Sequence, residues 1–397
     1  MNPNLENLHT YPFAKLAKLK TKVSPAPDKS PIFLSLGEPK HPIPAFITDS
    51  IVTHVGELAK YPTIKGIPEL RVSIAAWLCN RFRLPSIQID IEKNVLPVMG
   101  TREALFSIAQ CTIDPAYKPL VIMPNPFYQI YEGAAFLAGA EPYYVDCPPE
   151  NDYQPDFNAI PENVWSRCQL LYLCSPGNPT GAVVETKTLK KLIHLADRYD
   201  FIIASDECYS EIYLNEETPP SGLLEAAYSL GNEKFRRCIV FNSLSKRSNA
   251  PGLRSGFVAG DSELIERYYQ YRTYHGCAMP IPFQYASVAA WNDEPHVLAN
   301  RNAYREKFSA VIDILRGVLD FKVPTASFFL WPQTPIEDEK FALELFATEN
   351  VTVLPGSYLS REQKGVNPGQ NHVRIALVEP LKDCVEAAHR IKRFVQS

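Results

Sequence analysis

Residues 238–260 read CIVFNSLSKRSNAPGLRSGFVAG, and their pattern decides the class of fold. An apolar run, Ile239-Val240-Phe241, gives way to Ser243, Ser245 and Lys246. A Pro251-Gly252 turn follows, then Arg254 and a second apolar run ending at Gly260. The spacing predicts two strands with a polar loop between them. That loop carries a lysine, two hydroxyls and, eight residues after the lysine, an arginine. Loops at the ends of buried strands are where α/β sheets put their chemistry. A lysine amine is what a carbonyl cofactor condenses with. A lysine alone carries little weight, since most lysines sit in solvent; its surroundings decide.

Working outward, further apolar runs occur at 120–123, 143–145, 170–174 and 201–204. Helical patterns lie between several of them, the clearest at Leu189, Leu192, Ile193 and Ala196. The stretch LPVMGTREALFSIAQ (96–110) passes through Gly100-Thr101 into a helix with Ala104, Leu105, Ile108 and Ala109 on its apolar face. A helix over 71–80 is expected to bury Val72, Ala75, Ala76 and Cys79. Continuous apolar strands alternating with helices predict an α/β fold whose sheet is mostly parallel and covered on both faces.

After about residue 275 the pattern changes. Phe308, Val311, Ile312, Leu315 and Leu319 predict one long helix, 327–331 and 372–378 two strands, and Leu381, Cys384, Val385, Ala388 and Ile391 a final helix. The expected organisation is an N-terminal arm (1–45), a large domain (46–280) and a small C-terminal α/β domain (281–397) that the arm helps to complete. Residues 13–22 suit a basic amphipathic helix of that arm, and the proline-rich 24–45, with SLGEP at 35–39, suits an extended crossing segment.

Composition excludes several classes. A chain that is 46% apolar and 21% charged is globular. A formal charge of −4 and a pI near 6.1 give no reason to expect nucleic acid or an anionic membrane as partner. No run of 18 uncharged apolar residues predicts a membrane span, and the start lacks the pattern of a secretory signal. The nine cysteines are scattered without a Cys-x-x-Cys pair, several inside strand-like runs (Cys174, Cys238). That argues for reduced thiols in a cytoplasmic protein, and against disulfides or a zinc site.

Four further stretches carry chemistry. CSPGNPTGAV (174–183) fixes an irregular backbone after a buried strand, from which Asn178 can point an amide into the sheet crevice. In FIIASDECYSEIY (201–213), Asp206 ends an apolar run, with Tyr209 three residues on. Gly100-Thr101-Arg102 reads as an ordinary glycine turn and threonine cap, or as an anion site at a helix start. Arg374 of NHVRIALVEP (371–380) sits among apolar neighbours in a strand, a place where arginine needs a partner.

Together, NPTG, Asp-Glu-x-Tyr and Ser-x-Ser-Lys followed by Pro-Gly-Leu-Arg-x-Gly resemble the pyridoxal-phosphate (PLP) aminotransferases of the aspartate-aminotransferase type, over nearly the whole chain. The resemblance implies a large domain around a seven-stranded sheet. It implies Lys246 as the residue that holds PLP and moves the substrate's α-proton, with a depressed pKa. Asp206 then pairs with the pyridine nitrogen, Asn178 and Tyr209 bond the ring oxygen, and Tyr128 stacks on the ring. Gly100, Thr101, Arg102, Ser243, Ser245 and Arg254 surround the phosphate. Arg374 clamps the substrate α-carboxylate, beside the Gly37 backbone. Tyr61 reaches the neighbour's phosphate in a homodimer whose active sites lie at the subunit interface.

The segments 243–261 and 125–142 are most similar to bacterial N-succinyldiaminopimelate aminotransferases. That implies glutamate as donor and N-succinyl-2-amino-6-ketopimelate as acceptor. Lys22, Lys40, Arg102 and Arg272 are the cations available for its extra carboxylates, and Arg272 and His275 stand in the stretch where a distal-carboxylate arginine would be sought. Aminotransferases for aspartate, alanine, aromatic or branched amino acids remain alternatives, as does a PLP-dependent C–S β-lyase, which would share every cofactor contact. A non-catalytic effector-binding domain fits poorly, because it has no need for the lysine, the aspartate and Arg374 together.

Overall fold

The computed structural model describes all 397 residues of the chain. Its strands are β1 (Ile32–Phe33), β2 (Val95–Val98), β3 (Leu120–Asn125), β4 (Glu141–Asp146), β5 (Cys168–Cys174), β6 (Ile202–Asp206), β7 (Cys238–Ser243), β8 (Gly256–Gly260), β9 (Phe329–Leu330), β10 (Val351–Thr352), β11 (Leu354–Pro355) and β12 (Val373–Ala376). Seven of them form one sheet in the order β2-β8-β7-β6-β5-β3-β4. Only β8 is antiparallel, to both β2 and β7; the other pairs in this sheet are parallel.

The central strands are largely apolar and buried along almost their whole length, because both faces are covered. Along β5, Leu170 and Tyr172 turn into one hydrophobic cluster while Leu171 and Leu173 turn into another, the two-residue alternation of a pleated strand. The helices Thr101–Thr112 and Ile130–Leu137 pack on the first side; Pro68–Arg81, Thr186–Tyr199 and Ile281–Trp291 pack on the second. Fully burying one such leucine stabilises the fold by about 2 kcal/mol. A third cluster joins Ile32 and Leu34 of the arm to residues from Phe308 to Ile391, around the β11-β12-β9 sheet. The proline-rich arm crosses to it through β1, which pairs in parallel with β10. No helix is long and apolar enough to cross a membrane.

This topology gathers the motif residues at one edge. Strands β2, β3, β5, β6 and β7 all point their carboxyl ends the same way, and Gly100, Tyr128, Asn178, Asp206 and Lys246 follow those ends. Lys246 is not in an open loop as expected. It lies on a single helical turn, Leu244–Arg247, capped by Ser243, whose side chain accepts the Ser245 N–H at 3.1 Å. Serine is a strong cap because its hydroxyl satisfies an orphan amide of the first turn.

Some sequence expectations are corrected. In the Pro68–Arg81 helix, Ala75 and Cys79 are buried as expected, but Val72 (50% exposed) and Ala76 face outward; Leu70, Ile74, Trp77 and Leu78 complete the buried stripe. Burying these larger side chains gains more than burying the valine and the second alanine would. The long helix ends at Leu315, where Arg316 turns extended, so Leu319 reaches the core from the following turn. In the final helix, Leu381 stands at the exposed start; Cys384, Ala387, Ala388 and Ile391 are its buried apolar residues.

Candidate active site

A cleft of about 420 Å³ opens at the carboxyl edge of the large sheet. Its walls include Gly37, Thr101, Arg102, Tyr128, Asn178, Asp206, Tyr209, Ser243, Ser245, Lys246, Arg254 and Arg374, so most of the residues singled out in the sequence meet in one place.

Lys246 faces this cleft. Its Nζ donates to the Gly37 carbonyl, and Phe328 lies under it at 5.5 Å. Burial is the main force that brings its pKa down to about 8; Arg374 and Arg254 push the same way, against Cys208 and Glu38. The turn is braced from behind, since Asn300 Nδ2 donates to the Lys246 carbonyl at 3.1 Å. Arg247, almost wholly buried, donates to the Ala290 carbonyl at 2.6 Å and rests on Trp291 at 4.9 Å.

Asp206 is buried at the end of β6. Its Oδ1 accepts the Cys208 N–H at 3.2 Å and its Oδ2 the Tyr131 hydroxyl at 2.7 Å. Burial raises its pKa, and these bonds, with the Cys208 thiol, pull it back. Thr101 Oγ1 and Cys208 Sγ lie 3.0 Å apart.

A polar corner closes one end of the cleft. Ser243 Oγ lies 2.9 Å from Ser245 Oγ. Arg254 adopts a left-handed backbone (φ +53°) and donates to the Pro251 carbonyl at 2.9 Å. Gly100 has a backbone (φ +79°) that favours glycine, and a Cβ there would also push aside the Arg254 guanidinium, 2.4 Å away. At the other end, Arg374 is buried and points Nη1 at Asn178 Oδ1 (2.8 Å) and Nη2 at the Ser35 carbonyl (2.6 Å), while Nε has no partner. Burial brings its pKa down to about 10, which leaves it charged at neutral pH. Phe329 lies under its guanidinium at 4.5 Å. A Cβ on Gly37 would meet Phe329 at 2.9 Å, so the backbone can run this close to the site only as glycine.

Other expectations are corrected here. Arg272 is far from the cleft mouth: fully buried, it donates from Nη1 to both oxygens of Glu103 at 2.9 and 2.7 Å. His275, on the surface at the end of the same helix, does not line the cleft either. Glu103, His275 and Cys277 bring ligand atoms within 4.8 Å of one another, but a cation there would compete with the Arg272 guanidinium already on Glu103. Lys22 does not line the cleft. Lys40 stands outside it, 3.5 Å from the wall residue Glu38. Tyr61 is a different case: expected in the neighbour's site and not in this one, it lies outside this chain's cleft with its side chain wholly exposed.

The sequence reading missed Tyr11, Phe13, Glu38, Cys208 and Phe329, which also line the site. Arg102 lies over the Tyr11 ring at 5.5 Å and has no carboxylate partner. No local pattern marks Tyr11 or Phe13 as site residues, because only the packing of their helix on Trp331, Leu354 and Tyr358 brings them there.

Residues 30–391 match the family model of class I and II aminotransferases. The chain belongs to this family. As an aminotransferase it depends on PLP. Its nearly full-length relatives include an LL-diaminopimelate aminotransferase of Dehalococcoides mccartyi, 29% identical and spanning 99% of this chain and 98% of the relative. Among solved structures, an aminotransferase of Neisseria meningitidis superposes with a TM-score of 0.95 at 48% identity, covering 99% of this chain and 100% of that one. A probable N-succinyldiaminopimelate aminotransferase of Thermus thermophilus has a TM-score of 0.84 at 25% identity, with 96% and 99% covered.

The donor set of the aminotransferase cleft suits this cofactor. Hydroxyls and a guanidinium cluster at one corner, a buried carboxylate lies at the floor, and an amine of lowered pKa stands beside it. Only the neutral amine condenses with an aldehyde, so pH controls loading. The rate of PLP uptake by apoenzyme, followed in the visible spectrum, is expected to rise about tenfold per pH unit below the Lys246 pKa and to flatten above it. A rate still climbing at pH 10 would mean an unperturbed lysine.

Proposed function

We propose that the enzyme transfers the amino group of glutamate to N-succinyl-2-amino-6-ketopimelate, yielding 2-oxoglutarate and N-succinyl-LL-2,6-diaminopimelate in a ping-pong exchange. The observation that carries the chemistry is the placement of the Lys246 amine in one cleft with the Asp206 carboxylate and the Arg374 guanidinium, where burial also lowers its pKa to about 8. Bound PLP supplies the electron-poor ring that makes the substrate Cα–H acidic. In this reading Lys246 Nζ takes the proton from Cα, while Arg374 holds the α-carboxylate so that the bond to be broken faces the amine. Asp206 would hold the ring nitrogen in its protonated form, Asn178 and Tyr209 would bond the ring oxygen, and Tyr128 would cover a ring face. Thr101, Ser243, Ser245 and Arg254, with the backbone at Gly100, hold the phosphate.

The substrate reading rests on charge. Besides the groups assigned to cofactor and α-carboxylate, Arg102 remains at the cleft wall with no carboxylate partner. That suits a long substrate with distal carboxylates, and it favours this role for Arg102 over a direct phosphate contact. The Dehalococcoides relative favours a second reading, free LL-diaminopimelate as the amino compound. The exposed apolar run Val52, Val55 and Leu58, which leads to Tyr61, supports a homodimer in which Tyr61 reaches the neighbour's phosphate. The C-terminal third, residues 281–397, with the arm, is the part proposed to close over substrate and exclude water.

The spectrum of the PLP-loaded enzyme is expected to bleach with glutamate and with N-succinyl-LL-diaminopimelate, and poorly with aspartate. Bleaching by free LL-diaminopimelate but not by its succinyl derivative supports the second reading, and a visible band that never forms after PLP addition removes both. Arg102→Gln is expected to raise KM for the succinylated compound about fivefold, a modest effect because the arginine is exposed; an equal change for glutamate would deny it a distal role. Sedimentation at micromolar concentration is expected to give the mass of two chains, and a single-chain mass would leave Tyr61 without its role.

A further inference from the structure

We propose that Tyr131 is the positioning residue of the cofactor ring, tying together the carboxylate under the ring nitrogen and the aromatic side chain against the ring face. This inference rests on the PLP reading of the cleft given above, and it concerns a residue to which that reading assigns no part.

Tyr131 is fully buried in the first turn of the Ile130–Leu137 helix. It is held on three sides. Its hydroxyl donates to Asp206 Oδ2 at 2.7 Å. Its ring stacks on Tyr172 of β5, with centroids 4.6 Å apart and planes 11° apart. Its edge meets Tyr128, 5.8 Å away and nearly perpendicular at 89°. Tyr172 is itself anchored, since its hydroxyl donates to the Leu105 carbonyl at 2.6 Å. Tyr131 therefore cannot turn without moving either the floor carboxylate or the stacking ring.

The hydrogen bond has a direction. Burial, then the neighbouring Asp206, drive the Tyr131 phenol far above its ordinary pKa, so it remains a donor at every working pH. Asp206 has no arginine or lysine hydrogen-bonded to it; its donors are the Cys208 N–H, the Cys208 thiol and this phenol. A carboxylate offers about four lone-pair sites, so these bonds leave room for a ring N–H. They also offset the cost of keeping Asp206 ionised inside the protein. Without the phenol, Asp206 would take up a proton more readily and lose its fixed orientation. The ring nitrogen would then release its own proton at a lower pH. A phenol that merely filled space would have no such effect.

Tyr131→Phe keeps the ring and its stacking and removes only the hydroxyl. In the full-length protein this variant is expected to weaken PLP binding to apoenzyme about tenfold, the scale of a bond to a charged group. It is also expected to move the midpoint of the pH titration of the bound cofactor's visible band. The comparison is Tyr213→Phe, which removes a tyrosine hydroxyl bonded to Glu216 at 3.1 Å outside the cleft and should lower the melting temperature while leaving PLP affinity unchanged. A Tyr131→Phe protein with a lower melting temperature but unaltered affinity and titration would overturn the inference. In the unaltered protein, the slowly exchanging Tyr131 hydroxyl proton should give a downfield resonance that shifts when PLP is added to apoenzyme. A resonance indifferent to bound PLP overturns the proposal even where the variant does not fold. Apoenzyme that takes up no PLP at all would instead remove the cofactor reading itself.

Discussion

An amine placed among guanidinium groups inside a protein is an unfavourable cation, and the site is organised around that fact. Lys246 is surrounded by protein, with Arg374 and Arg254 adding positive potential, and its pKa falls to about 8. At neutral pH a useful fraction of the amine is neutral. Arg374 and Arg254, which add to the effect of burial, are the groups proposed to hold carboxylate and phosphate. When those anions bind, the potential at the lysine changes with them. The same charges thus serve binding and proton transfer.

Much of this was legible in the chain. NPTG, Asp-Glu-x-Tyr and the lysine segment lie at the carboxyl ends of consecutive strands, so their order in sequence is nearly their order in space. Strands are easy to read where both faces are buried, as in β7 and β8, because apolar residues then follow one another, as in Ile239-Val240-Phe241. The helix Pro68–Arg81 was harder, since small residues at the right spacing competed with Trp77 and Leu78 for the buried face. Arg272 was misjudged for a different reason. Its charge suggested substrate, but its bond to Glu103 makes it part of the support beneath the Thr101–Thr112 helix.

The roof of the cleft was the least legible part. Tyr11, Phe13 and Phe329 reach the site only through packing between the ends of the chain, and nothing in their immediate neighbours announces it. The backing of Lys246 by Asn300, and of Arg247 by the Ile281–Trp291 helix, is of the same kind. Such contacts hold the lysine in register without touching a ligand. A substitution there would loosen the site while leaving every motif intact.

The contacts from Arg374 to the Ser35 carbonyl and from Lys246 to the Gly37 carbonyl also imply an order of assembly. The groups that this chain is proposed to offer its own phosphate and ring lie between Gly100 and Arg254, within one sheet and its loops. The Arg374 contact forms only when a strand near the end of the chain meets an arm from its beginning, the longest loop closure in the site. During synthesis the residues from Gly100 to Arg254 emerge before Arg374, so the chain can assemble the proposed cofactor side of the cleft first. Early cofactor capture would stabilise the large sheet while the rest is still being made.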